Sequence, residues 1–296
     1  MRAPAKINLL LRVVAKRPDG YHEIDTLMFA VSLHDVVAVS ARPSPSTSIS
    51  CRVTGPHRVA GGAGNLAARA AARVLEQLGA AAEVRIDLTK NVPFGAGLGG
   101  GSSDAAAVIR VLPGLLGRRL GRDAAAAIAT SLGADVPFFL GCTPARARGI
   151  GERLSPLARV PKGALVIAVP PDRVDTAWAY RNALPRLTSR RAASRSPALP
   201  RNIDAVEAWF FNDFQRGVEK AVRSVRCARE ALEALGARAT VLSGSGSAVV
   251  GWFESDVAAR VAAAAYRGPG SVFAARVIRG APRREVCRDG RVRDGR

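Results

Sequence analysis

Apolar and polar residues alternate through the opening third of the chain, and the segments that alternate are rich in β-branched side chains. Segments 6–14, 24–33, 36–41 and 48–53 follow the two-residue period of half-buried strands. Pro18-Asp19-Gly20 supplies a turn between the first two. The period then lengthens. Across 65–78, Leu66, Ala70, Val74 and Leu78 recur every four residues, which predicts a helix that Gly79 ends. A strand over 84–88 follows, then helices over 104–116 and 122–131, then a short apolar segment over 136–140.

A second block begins near residue 160. Segment 164–169 reads as a buried strand, 176–183 and 203–209 as helical, and 215–235 as one long amphipathic helix. Next come a strand over 239–242, the small-residue turn Ser243-Gly244-Ser245-Gly246-Ser247, a strand over 248–253, a helix over 256–266 and a strand over 272–277. That order suggests a split ferredoxin-like α+β domain. The expected division is a first domain over 1–159, a second over 160–285 and a disordered basic tail over 286–296.

Composition narrows the class. At 296 residues, with 48% hydrophobic and 23% charged residues, the chain suits a globular protein with a substantial core. No apolar run approaches the ~20 residues that span a bilayer. The first residues carry no apolar signal segment, so a cytoplasmic protein without a membrane partner is expected. Cys51, Cys142, Cys227 and Cys287 are scattered, which argues against a zinc site or a disulfide framework. The net charge of +20 raises nucleic-acid binding as a rival function. Much of it sits in loop-like stretches, 186–201 and 279–296, and only 5% of residues are aromatic, leaving little to stack on bases. A solvated basic surface is the better reading.

The sharpest chemical signal is Pro93-Phe94-Gly95-Ala96-Gly97-Leu98-Gly99-Gly100-Gly101-Ser102-Ser103-Asp104, which runs into the helix formers Ala105-Ala106-Ala107. Glycines let the main chain approach a ligand, and a helix start offers unpaired N–H groups and a positive dipole end, so the loop suits phosphate. It has no Gly-Lys-Ser/Thr ending. The acidic residue a dinucleotide site wants about 20 residues on is poorly matched by Asp123, which follows a helix. A nucleoside triphosphate fits better.

Other residues could join it. Lys6 lies in a strand between apolar neighbours and could face solvent or a site. Asp135, between a glycine turn and an apolar segment, could cap a helix or serve as a base beside a cation. Tyr21 and His22, after the first turn, could be surface residues or could hold a flat heterocycle.

Five segments occur in order: Ala3-Pro4-Ala5-Lys6-Ile7-Asn8-Leu9, Arg17-Pro18-Asp19-Gly20-Tyr21-His22-Glu23, the glycine loop, Leu132-Gly133-Ala134-Asp135-Val136-Pro137, and Leu242-Ser243-Gly244-Ser245-Gly246. Together they resemble the GHMP kinase superfamily across about residues 2–278, and most resemble its members with a cytidine-diphosphate-linked polyol as acceptor. The resemblance implies an α+β, two-domain GHMP kinase fold. Its N-terminal domain is ribosomal-protein-S5-like, its C-terminal domain is ferredoxin-like, and the active site lies in the cleft between them. It implies transfer of the γ-phosphoryl of ATP to the 2-hydroxyl of that acceptor, with Mg2+, in non-mevalonate isoprenoid precursor synthesis by a monomer or homodimer. By that resemblance Lys6 and Asp135 are the catalytic pair, and the loop from Pro93 to Ser103 wraps the ATP phosphates, with Asn65 and Lys90 nearby. Asn8, Tyr21, His22, Ser243 and Gly244 would hold the acceptor, and Ser103 would contact the magnesium. A sister kinase for mevalonate or homoserine is the nearest rival.

Overall fold

The computed structural model describes residues 1–57, 59–158, 163–184 and 206–280, so the basic stretch 186–201 and the tail 286–296 lie outside the described residues. The chain opens with a long antiparallel hairpin of β1 (Arg2–Lys16) and β2 (His22–Pro43). Its turn is tight: the Gly20 amide donates to the Arg17 carbonyl at 3.1 Å, and the glycine holds φ at +87°. The two strands expected over 24–33 and 36–41 form one. The polar residues between them stay in the ladder, where Asp35 pairs with Ala3 and lies buried.

β3 (Ser48–Thr54) runs parallel to β4 (Ala82–Thr89), the two joined through α1 (Leu66–Leu78). Asn65 caps α1 by accepting from the Ala67 amide at 3.0 Å, and Gly79 closes it in the left-handed region, as the sequence predicts. β5 (Ala145–Gly149) and β6 (Arg153–Pro156) were not expected, because Arg146, Arg148 and Arg153 obscure the strand pattern. Arg146 forms an ion pair with the buried Asp25 of β2, so a charged residue serves in the ladder. The sheet order is β3-β4-β2-β1, with β5 on β2, β6 on β5 and one further short strand beside β1. The two-residue β8 (Phe211–Asn212) belongs to the second half of the chain and pairs in parallel with Leu10 and Leu11.

Behind this sheet lie α2 (Gly100–Leu115), α3 (Arg122–Leu132) and α4 (Val136–Gly141). The second sheet has the order β11-β7-β10-β9, built from β7 (Ala164–Val169), β9 (Ala239–Leu242), β10 (Val249–Phe253) and β11 (Ser271–Ala275). That order, with α7 (Arg223–Ala234) and α8 (Asp256–Ala265) on one face, is the expected ferredoxin-like arrangement. The helix expected over 215–235 is two, α6 (Gln215–Ala221) and α7, broken at Val222 with φ −121° and ψ 95°. Gly217 presses α6 against the end of α5 (Thr176–Asn182), where an added Cβ would lie 2.1 Å from the Ala183 carbonyl oxygen. α7 packs instead on the second sheet, and two partners require two axes. Of the segment 203–209, the described part, Val206–Trp209, is a single 3-10 turn.

Three apolar clusters join these layers. Val84, Ile86 and Leu88 meet α1 and α2; Val166, Val249 and Phe253 meet α7 and α8; and Ile7, Leu9 and Phe29 meet Leu165, Ile167 and Trp252 between the sheets. The side chains of Ile7 and Leu9 point into that inter-sheet core, so Lys6 and Asn8 face the other way. Irregularities in the β1–β2 pairing flank both residues, between Pro4 and Lys6 and between Asn8 and Leu10. Cys51, Cys142 and Cys227 are free thiols, and no described helix is long and apolar enough to cross a membrane.

Candidate active site

The glycine loop joins the two halves of the molecule. Its Leu98 carbonyl accepts from the Lys6 amide at 2.9 Å, and its Ala96 carbonyl from the Ala248 amide at 3.1 Å. Gly97 lies against the Ser243–Gly246 turn, where a Cβ would come within 2.2 Å of the Ser243 oxygen. Gly99 holds φ at +68°, and a Cβ there would meet Lys6 and Phe139 at 3.0 Å. α2 starts at Gly100, four residues before the expected Asp104, so Gly100, Gly101, Ser102 and Ser103 form its first turn. The amides that begin the helix therefore belong to the loop.

Two cavities meet at Gly97. The first, about 610 Å³, is lined by Pro93 to Ser102 together with Asn65, Lys90, Asp104 and Arg173. The second, about 180 Å³, is lined among others by Lys6, Asn8, Asp135, Tyr180 and Gly244. A larger cavity of about 820 Å³, bordered by Arg110, Arg118, Arg119 and Arg122, lies at the far end of α2 and contains none of the expected site residues.

In the second cavity Lys6 Nζ lies 3.5 Å from Asp135 Oδ2 and donates to Asn8 Oδ1 at 2.7 Å. Asn8 Nδ2 donates to Thr26 Oγ1 at 2.7 Å, and that hydroxyl donates to the Leu10 carbonyl at 2.6 Å. The ammonium is thus fixed in place. Asp135 precedes α4 but makes no capping bond with its side chain, which is 35% exposed and open to the cavity. Ser243 Oγ accepts from the Asn8 amide and donates to the Gly97 carbonyl, both at 3.3 Å, tying the Ser/Gly turn to both sides. Asn212 of β8 holds that turn by donating to the carbonyls of Leu242 and Gly244 at 2.7 and 2.8 Å.

Lys90 has a different setting. Its buried ammonium bonds Asp104 at 2.6 Å and also pairs with Asp35, whose other oxygen accepts from the Asn91 and Val92 amides at 2.6 and 2.8 Å. Burial alone would lower the Lys90 pKa, but the two carboxylates outweigh it and raise it. Burial, with Asp35 adding to it against Lys90, pushes Asp104 up to about 7. Lys90 therefore anchors the floor of the loop, and its charge is already matched.

One wall of the second cavity is aromatic. Tyr180 stacks on His22, with ring centroids 4.6 Å apart, and meets Phe214 edge-on at 4.8 Å. Burial and then the charge of Asp135 push the Tyr180 phenol up to about 12. Burial and then Lys16 lower the His22 pKa. Tyr21 is 61% exposed on the hairpin and does not line the cavity. The sequence did not single out Thr26, Asp35, Arg173, Tyr180 or Phe214, and marked Asp104 only as a helix start. Only the placement of Asp104 beside Ser103 gave any signal, since the others join the site through tertiary contacts.

Comparison with known proteins places the chain in a family. Residues 65–142 match the family model for the GHMP kinases N terminal domain, and residues 192–271 match GHMP kinases C terminal. A 4-diphosphocytidyl-2-C-methyl-D-erythritol kinase from Geobacter sp. (strain M21) is 42% identical over 275 residues, covering 93% of this chain and 96% of the relative. A crystal structure of 4-(cytidine 5'-diphospho)-2C-methyl-D-erythritol kinase superposes with a TM-score of 0.79 at 40% identity, covering 94% of this chain and 98% of the other. The homoserine kinase from Cytophaga hutchinsonii shares the fold, with a TM-score of 0.66 at 21% identity over 93% of this chain and 94% of its own. By sequence and by fold alike, this chain belongs to the GHMP kinase family.

Proposed function

We propose that this protein transfers the γ-phosphoryl of ATP to the 2-hydroxyl of 4-diphosphocytidyl-2-C-methyl-D-erythritol, in the non-mevalonate route to isoprenoid precursors. The observation that carries the reading is the junction at Gly97. There a glycine loop suited to a triphosphate meets a cavity that holds a lysine–aspartate pair 3.5 Å apart. The specific acceptor rests on relatives of that activity at about 40% identity over nearly the whole chain.

ATP lies with its phosphates along Pro93 to Ser103, on the amides that open α2. Asp135 accepts the proton of the acceptor hydroxyl as its oxygen bonds to the γ-phosphorus, while the bond from that phosphorus to the β-bridging oxygen breaks and ADP leaves. Lys6, 3.5 Å from Asp135, favours the charge growing on the attacking oxygen. Asn8 positions Lys6, and the wall of Tyr180 and Phe214, with His22 stacked on Tyr180, receives the cytosine.

Magnesium fits as a companion of the nucleotide. Among the described residues no group of three or more His, Cys, Asp or Glu could hold a metal ion alone, whereas Ser103 Oγ is buried in the first turn of α2 without a hydrogen-bond partner. Ser103 would hold the ion together with ATP oxygens, and the ion would supply charge neutralisation of the phosphates. The enzyme acts in the cytoplasm on small molecules, as a monomer or homodimer, without nucleic acid.

An ADP-release assay with a panel of acceptors tests this. The cytidyl acceptor should give acceptor-dependent ADP, and mevalonate and homoserine should give none above background. Preference for either of those would overturn the assignment.

A further inference from the structure

We infer that Arg173 is a further substrate-binding residue, a cation that grips the ATP phosphates from the second half of the molecule. The inference rests on the ATP site proposed above. A triphosphate brings about four negative charges to the loop at neutral pH, so the cations of the cavity have to be accounted for. Lys90 is committed, paired with both Asp35 and Asp104, and those three side chains together carry no positive excess. Lys6 faces the other cavity, where Asp135 and Asn8 hold it.

Arg173 is placed differently. It follows β7 in the segment Pro170-Pro171-Asp172-Arg173, lines the loop cavity, and has no ion pair among the described residues. Its guanidinium carbon lies 5.4 Å above the centre of the Phe94 ring, and its Cδ is 3.6 Å from where a Cβ on Gly95 would stand. Phe94 is 53% exposed, an unusual setting for a large apolar side chain, and the arginine lies over one face of its ring. A planar guanidinium resting on a ring presents its edge N–H donors to oxygen atoms, the geometry that grips phosphate in bidentate fashion. Phe94 is thus the seat, and Arg173 the clamp that joins the two halves across the nucleotide.

The test is the full-length enzyme with Arg173→Ala, Arg173→Lys and Phe94→Ala. Affinities for ATP and for adenosine are measured by titration calorimetry, and KM for each substrate by ADP release. Loss of a charged hydrogen-bonding group should raise the Kd and KM for ATP about tenfold to a hundredfold in Arg173→Ala. Adenosine affinity and acceptor KM should stay within about twofold. Arg173→Lys should recover part of the loss, and Phe94→Ala should show a smaller rise in the same direction. Equal weakening of ATP and adenosine would overturn the inference, because the side chain would then act by shaping the loop. So would an unchanged ATP affinity in a folded Arg173→Ala protein. A wild-type enzyme that binds no ATP would instead overturn the reading of the site itself, and this inference with it.

Discussion

Asp135 and Lys6 are within reach of one another because neither is consumed by local structure. The aspartate makes no side-chain cap with α4, and the lysine is drawn into the site by Asn8 and Thr26. General-base catalysis typically contributes ~10²–10⁴-fold, so Asp135→Asn should lower kcat by that range with both substrates still bound. Lys6→Met should also slow the chemical step, and the double variant should lose far less than the product of the two single losses. Pre-steady-state kinetics with both substrates saturating measures this. An Asp135→Asn enzyme above about a tenth of wild-type kcat, with chemistry limiting, would remove the base role. The aromatic wall makes a separate prediction. Stacking on an aromatic ring is worth roughly 1–3 kcal/mol, so Tyr180→Ala should raise acceptor KM about tenfold to a hundredfold with little change in ATP KM. His22→Ala should do the same to a smaller extent. Equal damage to both substrates would make the stack a structural feature of the hairpin.

At the scale of elements, the glycines of the loop divide by position. Gly97 holds φ at +76° against the Ser243 carbonyl, whereas Gly101 lies inside α2 with open space where a side chain would stand. Gly97→Ala should cost about 2 kcal/mol or more of stability and abolish ATP turnover. Gly101→Ala should be neutral or stabilise the fold by up to ~1 kcal/mol, the gain of alanine over glycine within a helix. Denaturant unfolding of the two variants checks the contrast, and equal destabilisation would contradict it. The Asp35–Lys90–Asp104 group beneath the loop predicts a pH dependence. With Asp104 raised to about 7, the folded chain keeps a proton that the unfolded chain releases between about pH 4 and 7. Its contribution to stability therefore grows as pH falls through that window and is lost as pH rises through about 7. From pH 7 to pH 5 the stability of wild type relative to Asp104→Asn should increase, by at most ~1.4 kcal/mol per pH unit. A constant difference, or one of opposite sign, would show that Asp104 stays ionised.

For the whole molecule, what could be read from the chain follows from where the information sits. The period of Leu66, Ala70, Val74 and Leu78 and the alternation of β1 are local, and both predict the elements observed. The break at Val222 and the strand β5 depend on partners distant in sequence: the contact of Gly217 with Ala183, and the pairing of Arg146 with Asp25. The same holds for the site. The loop and the Lys6–Asp135 pair were visible as motifs, whereas Tyr180 and Arg173 join only when the second half of the chain folds over the first. Burying Asp35 and Asp104 on one lysine left no mark in the spacing of residues. The central claim concerns the cleft that these halves form: that it carries phosphoryl from ATP to one hydroxyl of the cytidyl acceptor. Phosphorus-31 NMR of the products formed from equimolar ATP and 4-diphosphocytidyl-2-C-methyl-D-erythritol tests it most directly. The expected spectrum shows ADP and a new phosphomonoester on the 2-hydroxyl, with the acceptor's diphosphate bridge intact. ADP with free inorganic phosphate, or a phosphoryl group on another hydroxyl, would contradict it.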